Sequence, residues 1–285
     1  MLERVDRVQL VVKDRQAAAR TFGEVLGARA VREGESAYLG AARLVLALGA
    51  SEVELYEPSG PGPAAEHLIA QGEGLMTAGF STRDMGALRA NLERHGCRYI
   101  SEGDQVYLEP SQTLGMRVVL SPDAARPRAG LVSHLYEVTN TLVSDWRAAA
   151  DRYTRIFGLD RSRFSPIKSE HFGYVGTLTL FNPVDRLDRI EISQVTDPKS
   201  AMGRWAAKRG DSLHMCYAEA DDVRPIIERL TARGARFTPR GSDPKAERDG
   251  LWVQPSALCG LLLGISRTTV GWEWSGQPAR VAGGR

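Results

Sequence analysis

Short apolar runs and amphipathic stretches alternate along this chain, and their spacing predicts strands and helices. Residues 8–12 (VQLVV) predict a first strand. A helix is predicted over 15–27, because Asp14 can cap its start and Gly27 can end it. The pattern then predicts three short strands, over 36–39, 42–48 and 52–56.

The order of one strand, one helix and several strands recurs along the chain. Short segments also match between the two halves: GEGL with GDSL, RHGCRY with ARGARF, and VELYEP with IEISQV. Self-similarity at this large spacing indicates duplicated domains rather than a solenoid of short repeats.

A stretch without apolar periodicity, PDAARPRAG at 122–130, separates the two halves. We therefore predict a first domain over 1–122, a linker over 123–130 and a second domain over 131–268. The remaining residues, 269–285, form a tail whose tryptophans could pack back on the fold.

Composition narrows the class of protein. The 285 residues are 42% hydrophobic and 25% charged, and a formal net charge of +2 does not suggest nucleic-acid binding. No apolar run is long enough for a membrane span, and the N-terminal residues lack a signal-peptide layout. The three cysteines, Cys97, Cys216 and Cys259, are scattered, which fits a reducing cytoplasm.

Three side chains on predicted strands are candidate metal ligands. Glu191 lies in the run 189–195, His214 lies in the run 213–220, and His134 lies in VSHLYEV. A lone strand histidine is more often a hydrogen-bonded core residue, so the prediction depends on the combination. Two imidazoles and one carboxylate on one sheet would suit a divalent metal ion.

These segments resemble the vicinal oxygen chelate superfamily, which includes glyoxalase I, methylmalonyl-CoA epimerase, extradiol dioxygenases and bleomycin-resistance proteins. SAMGRWAAKRGDSLHM is similar to the epimerase segment between its middle ligands, and RVDRVQLVVKD and VSHLYEV are similar to its first strand. The resemblance implies an α+β fold of tandem glyoxalase-like domains. Each domain would contain two paired βαβββ units that form a half-open β-cup.

In that family the first and last strands of both units supply the metal ligands of a cup. The resemblance assigns these four places in the second domain to His134, Glu191, His214 or its neighbour, and Gly264. In the first domain it assigns them to Arg7, Glu54, Met76 or Thr77, and Val119. The first cup is therefore expected to be metal-free.

The second domain departs from the family pattern at two of these places. A glutamate would be usual at Gly264, and the family often has a histidine pair where this chain has His214 and Met215. Strand side chains alternate between the two faces, so a slip of one residue would turn His214 out of the cup, whereas a bulge would restore it. The sequence leaves both arrangements open.

A catalytic base must then come from elsewhere if the chain is an enzyme. Glu170, His171 and Tyr174, in KSEHFGYVG, are the candidates on the adjacent strand pair. Each has an ordinary alternative role, as a solvated charge, a surface residue and a core aromatic respectively.

Three functions are consistent with these features. The first is a metal-dependent isomerase, epimerase or lyase that acts on a small carbonyl or vicinal-oxygen substrate through an enolate. The second is an extradiol-type ring-cleaving dioxygenase, and the third is a ligand-binding or resistance protein without turnover. The resemblance implies a divalent ion (Fe, Mn, Co, Zn or Ni) and a small-molecule substrate. We expect no nucleic-acid or membrane partner, and pairing of two chains into a homodimer stays open.

Overall fold

Two eight-stranded sheets make up the molecule, one in each half of the chain. The computed structural model describes residues 1–181, 186–240 and 248–282. The strands of the first sheet are β1 Arg4–Val11, β2 Arg29–Ser36, β3 Ala41–Leu48, β4 Ser51–Pro58, β5 Gly74–Thr82, β6 Ile100–Glu102, β7 Gln105–Leu108 and β8 Arg117–Pro122. Those of the second are β9 His134–Leu142, β10 Phe164–Ser169, β11 Tyr174–Leu180, β12 Arg189–Val195, β13 Ser212–Ala220, β14 Phe237–Pro239, β15 Gly250–Val253 and β16 Leu263–Arg267.

Six helices connect these strands in the described residues. They are α1 Arg15–Leu26, α2 Pro63–Gln71, α3 Met85–Arg94, α4 Trp146–Phe157, α5 Ala201–Arg209 and α6 Arg224–Ala232. Asp14 accepts hydrogen bonds from the backbone at the start of α1, and Gly27 ends the helix in the left-handed conformation, as the sequence predicts. None of the described helices is long and apolar enough to cross a membrane.

The strand order confirms the predicted α+β architecture of paired βαβββ units. The first sheet runs β2-β3-β4-β1-β5-β8-β7-β6, and the second runs β10-β11-β12-β9-β13-β16-β15-β14. The first strands of the two units in each domain, β1 with β5 and β9 with β13, pair antiparallel at the centre. One face of each sheet packs against helices, and the other curls into a cup.

A single hydrophobic core runs through both domains on the helix-covered faces. The ring of Phe80 lies between Phe157 and Phe181 of the second domain, with centroid distances of 6.1 and 5.7 Å. Full burial of such a side chain contributes about 1.5–3 kcal/mol. The backbone amide of Val5 also donates to Asp188 across the boundary, at 2.7 Å. The two cups are therefore parts of one packed body.

Two elements of the first domain differ from the prediction. Residues 37–40 form a turn where a strand was expected at 36–39, and the strand before this turn, β2, runs from Arg29 to Ser36 and is almost entirely exposed. Its polar sequence, RAVREGES, carries no apolar alternation because it lies at the sheet edge. The helix α2 was not predicted, since only Ala64 is buried along its length.

Candidate functional site

The strand registers define which residues occupy equivalent places in the two cups. Arg7 of β1 lies opposite Glu52 and Gly79, and Glu137 of β9 lies opposite Arg189 and Tyr217. Glu137 is therefore the counterpart of Arg7, and the ion pair on these strands has opposite polarity in the two domains. Glu191 is the counterpart of Glu54, because they lie opposite Thr139 and Gln9 in the same registers.

The first cup is filled by its own charged side chains. Glu54 is completely buried and accepts hydrogen bonds from Arg7 at 2.6 Å, from Gln9 at 2.7 Å and from Tyr56 at 2.7 Å. Burial alone would raise the pKa of Glu54, but the Arg7 guanidinium, Arg43 and the hydrogen bonds from Tyr56 and Gln9 together lower the pKa below its ordinary value. Arg7 thus supplies the positive charge in this cup, and a metal-free first cup stays a prediction.

In the second cup, a guanidinium and two carboxyl groups lie together in the interior. Arg189 donates to Glu137 at 2.7 Å, and both side chains are almost completely buried. The neighbouring Glu191 accepts a hydrogen bond from Ser193. Burial and the adjacent Glu137 together raise the pKa of Glu191 well above its ordinary value, which favours the protonated form of this carboxyl.

Some donor and acceptor atoms of these buried polar side chains make no hydrogen bond within the protein. Among the described residues, Glu137 Oε1, Thr139 Oγ1 and Arg189 Nη2 are buried without a hydrogen-bond partner. A proton on Glu191 would supply a donor for Glu137 Oε1. A buried polar atom without a partner costs about 1–3 kcal/mol, so the free donor of Arg189 and the hydroxyl of Thr139 are available to a ligand.

A β-bulge decides the orientation of His214. The pairing of β13 with β9 shifts between Leu213 and Met215, so that His214 is the extra residue. Its ring stacks on Trp205 of α5 at a centroid distance of 4.2 Å, and Nδ1 lies 3.2 Å from Thr141 Oγ1. The equivalent bulge in the first domain turns Met76 into the apolar lining of that cup. His214 therefore faces the second cup, near α5.

His134 lies elsewhere. It begins β9 and pairs with Glu219, which places it at the position of Arg4 rather than Arg7. His214 contacts Thr141, seven residues further along the strand, so the two imidazoles are roughly 20 Å apart at about 3.3 Å per residue. The bulge between Leu135 and Glu137 accounts for the difference from the expected alignment.

The predicted ligands do not fit one metal ion in this arrangement. Of His134, Glu191 and His214, only the last two face the same cup, and the described residues contain no group of three metal-capable side chains placed to hold an ion. Glu137, at the place of the first ligand, already pairs with the guanidinium of Arg189. Metal ligation by Glu191 and His214 stays a prediction.

The ring of Tyr217 explains why the fourth place is a glycine. Tyr217 lies opposite Gly264 in the pairing of β13 with β16, and a Cβ built on Gly264 would overlap this ring. Trp252 fixes the ring by donating to the Tyr217 hydroxyl at 2.7 Å. The space that a glutamate would need is therefore occupied by an aromatic side chain.

The three candidate catalytic residues separate into two groups. Glu170 and His171 lie on the exposed turn before β11, where Glu170 pairs with Lys168 at 2.9 Å and His171 contacts Phe172. The structure does not bring either of them to the carboxyl pair, because the turn extends beyond the sheet into solvent. Tyr174 begins β11, and burial together with the nearby Glu191 raises its pKa. Of the three, only Tyr174 lies near the carboxyl pair.

Residues 270–275 of the tail cover the second cup. They form a 3₁₀ helix whose Trp272 packs with Tyr136, Leu178 and Leu180 on the cup face. Ser275 Oγ accepts a hydrogen bond from Arg189 Nη1 at 2.6 Å. The tail is therefore a part of the site.

The pairing of Glu137 with Arg189 was not predicted from the sequence. A usable signal was present, since alignment of the two halves on Val5 and Leu135 reveals the exchanged charges of Arg7 with Glu52 and Glu137 with Arg189.

Comparisons with known proteins concern the family of the first domain and the fold of the whole chain. The model of the family described as Glyoxalase/Bleomycin resistance protein/Dioxygenase superfamily matches residues 6–113. A mutant of 4-hydroxymandelate synthase from Streptomyces coelicolor superposes with a TM-score of 0.71 and 14% identity, covering 98% of this chain and 100% of that chain. The family model covers the first domain, and the superposition shows that the whole chain has the fold of that synthase.

Other solved structures are also similar. A xylose isomerase-like TIM barrel/4-hydroxyphenylpyruvate dioxygenase fusion protein gives a TM-score of 0.65 with 11% identity over 93% of this chain and 48% of that chain. Methylmalonyl-CoA epimerase from Mycobacterium tuberculosis matches 43% of this chain and 89% of its own with 22% identity and a TM-score of 0.40. A search of curated proteins finds no match. At these identities the likeness to solved structures concerns the fold.

Proposed function

We propose that the second cup is the active site of an enzyme that transfers a proton on a small carbonyl compound, as an isomerase, epimerase or lyase does. The observation that carries this proposal is the pair of carboxyl groups of buried Glu137 and half-buried Glu191 beside Arg189. A carboxyl group with a raised pKa can donate a proton at a site where a second carboxyl group accepts one, so the two are suited to act as acid and base.

The residues have distinct roles in this proposal. Glu137 takes a proton from the carbon next to the carbonyl group, and the electron pair moves to the carbonyl oxygen to give an enolate. Arg189 Nη2 donates to that oxygen, and the proton of Glu191 neutralises it. Return of a proton to carbon from the other face, or to a neighbouring atom, gives the epimer or the isomer.

Access to these groups requires the tail to move. Trp272 and Ser275 lie against the cup, and Ser275 holds one nitrogen of Arg189. A substrate oxygen would replace this serine hydroxyl as the acceptor. The same covering favours the second candidate, a ligand-binding cup without turnover, because a tail that closes over the cup would hold a bound ligand tightly.

Proton transfer can be tested without the natural substrate. Exchange of carbon-bound hydrogen in D₂O would be followed by proton NMR for hydroxyacetone, 2-oxobutyrate and phenylpyruvate. We expect wild-type protein to accelerate exchange of at least one compound over buffer and Glu191→Gln to abolish the acceleration. Glu170→Gln, which alters only an exposed carboxylate, is the matched control and should retain it.

Each outcome has a defined meaning. Acceleration that survives in Glu191→Gln would overturn the assignment of Glu191. Saturable binding of these compounds at the second cup without exchange in wild type would favour the ligand-binding cup over the enzyme.

A further inference from the structure

A cleft lies between the two domains, away from the carboxyl groups of Glu137 and Glu191. It has a volume of about 220 Å³ and lies where α2 approaches the start of β13. Leu75, Met76 and Leu213 give it an apolar wall, whereas His67 and Arg117 contribute polar groups. Sites for drug-sized ligands span about 300–1,000 Å³, so this cleft suits a smaller molecule.

An unneutralised guanidinium lies at the rim of this cleft. Arg209, the last residue of α5, donates to the side-chain oxygen and, at 3.3 Å, to the backbone carbonyl of Gln71, which lines the cleft. No carboxylate of the described residues forms an ion pair with Arg209, whereas Arg117 pairs with Glu109 at 2.7 Å. The amide of Gln71 therefore positions the positive charge without cancelling it.

The imidazole of His67 is the second unusual feature. It is partly buried in the cleft wall, and neither ring nitrogen has a hydrogen-bond partner in the described part of the chain. Burial, Arg209 and Arg117 lower the pKa of His67 to about 4, and no carboxylate offsets them, although Glu66 also lines the cleft. The local potential at the imidazole is therefore positive.

We propose that this interdomain cleft binds a small monocarboxylate with an apolar body. Its carboxylate accepts hydrogen bonds from Arg209 and His67, and its apolar part lies against Met76 and Leu213. Both domains contribute to the site, so occupancy stabilises their packing. The proposal is independent of proton transfer in the second cup.

Benzoate is a suitable probe, because it joins a carboxylate to a flat apolar ring. Binding to the full chain would be measured by calorimetry and by shifts of the His67 imidazole signals in carbon–proton NMR spectra. We expect a Kd on the order of 1 mM. Arg209→Ala and His67→Ala should each weaken it by about tenfold, as expected for loss of a charge-assisted hydrogen bond or its partner.

Three comparisons make the test decisive. Arg204→Ala removes an exposed arginine from the same helix, one that donates to the Lys199 carbonyl, and should bind benzoate as wild type does. Inorganic phosphate, which has no apolar body, should bind more weakly than benzoate. Equal benzoate affinity in wild type and Arg209→Ala, or absence of saturation by about 20 mM, would overturn the proposal. Loss of benzoate binding in Glu191→Gln would instead assign the ligand to the second cup.

Discussion

Replacement of Glu191 by glutamine tests directly whether this half-buried carboxyl is protonated. Glutamine has the shape of the protonated side chain: its amide nitrogen can donate to Glu137 Oε1, and its oxygen can still accept from Ser193. In wild type, the proton on Glu191 stabilises the fold. This contribution is complete below about pH 4.5, the ordinary pKa of the side chain, and is lost as the pH rises toward the raised pKa of the folded protein.

The magnitude follows from this linkage. Each pH unit between the ordinary and the raised pKa lowers wild-type stability by about 1.4 kcal/mol relative to the permanently neutral variant. Between pH 5 and pH 7 the variant should therefore gain up to about 2.7 kcal/mol over wild type. Buried Asp188 and Glu219, whose pKa values are also raised, affect both proteins equally and cancel in the difference.

Urea unfolding at a series of pH values would measure this difference. Glu170→Gln serves as the control, because it changes an exposed carboxylate and should follow wild type at every pH above 5. Parallel stability curves for wild type and Glu191→Gln from pH 5 to pH 7 would refute the reasoning, since they would mean that Glu191 ionises at its ordinary pKa.

Three further changes test other parts of the structure. Gly264→Ala forces a Cβ against the Tyr217 ring and should lower the free energy of unfolding in urea by about 1–3 kcal/mol. Val119→Ala changes the equivalent place in the first domain. Its loss of stability should be less than twice that of Gly264→Ala, and NMR spectra should show the second domain intact. Arg7→Met leaves the buried Glu54 without its guanidinium and should cost about 3–5 kcal/mol in the same assay; a loss below about 1 kcal/mol would contradict a buried ion pair. His134→Ala should leave the metal content unchanged in elemental analysis of protein purified without added metal, because His134 lies apart from Glu191 and His214. Loss of bound metal in that variant alone would contradict this separation.

The sequence by itself determined the architecture of this protein. Apolar alternation, helix-end residues such as Asp14 and Gly27, and matching segments in the two halves were sufficient for the order of paired βαβββ units. These features are local, since a strand or a cap is specified by residues close together in the chain. The edge strand β2 and the exposed helix α2 were not predicted from the sequence, because neither buries a continuous apolar face.

Only the tertiary structure decided which side chains meet in the second cup. A bulge inserts one residue without a clear mark in the sequence and reverses the face of the residues around it, which brings His214 into the cup and gives Glu137 the place expected for His134. The pairing of Glu137 with Arg189, which is 52 residues distant, and the covering of that pair by Ser275 depend on long-range packing. Alternation along a strand fixes the spacing of side chains, but the register between strands determines which charges become neighbours.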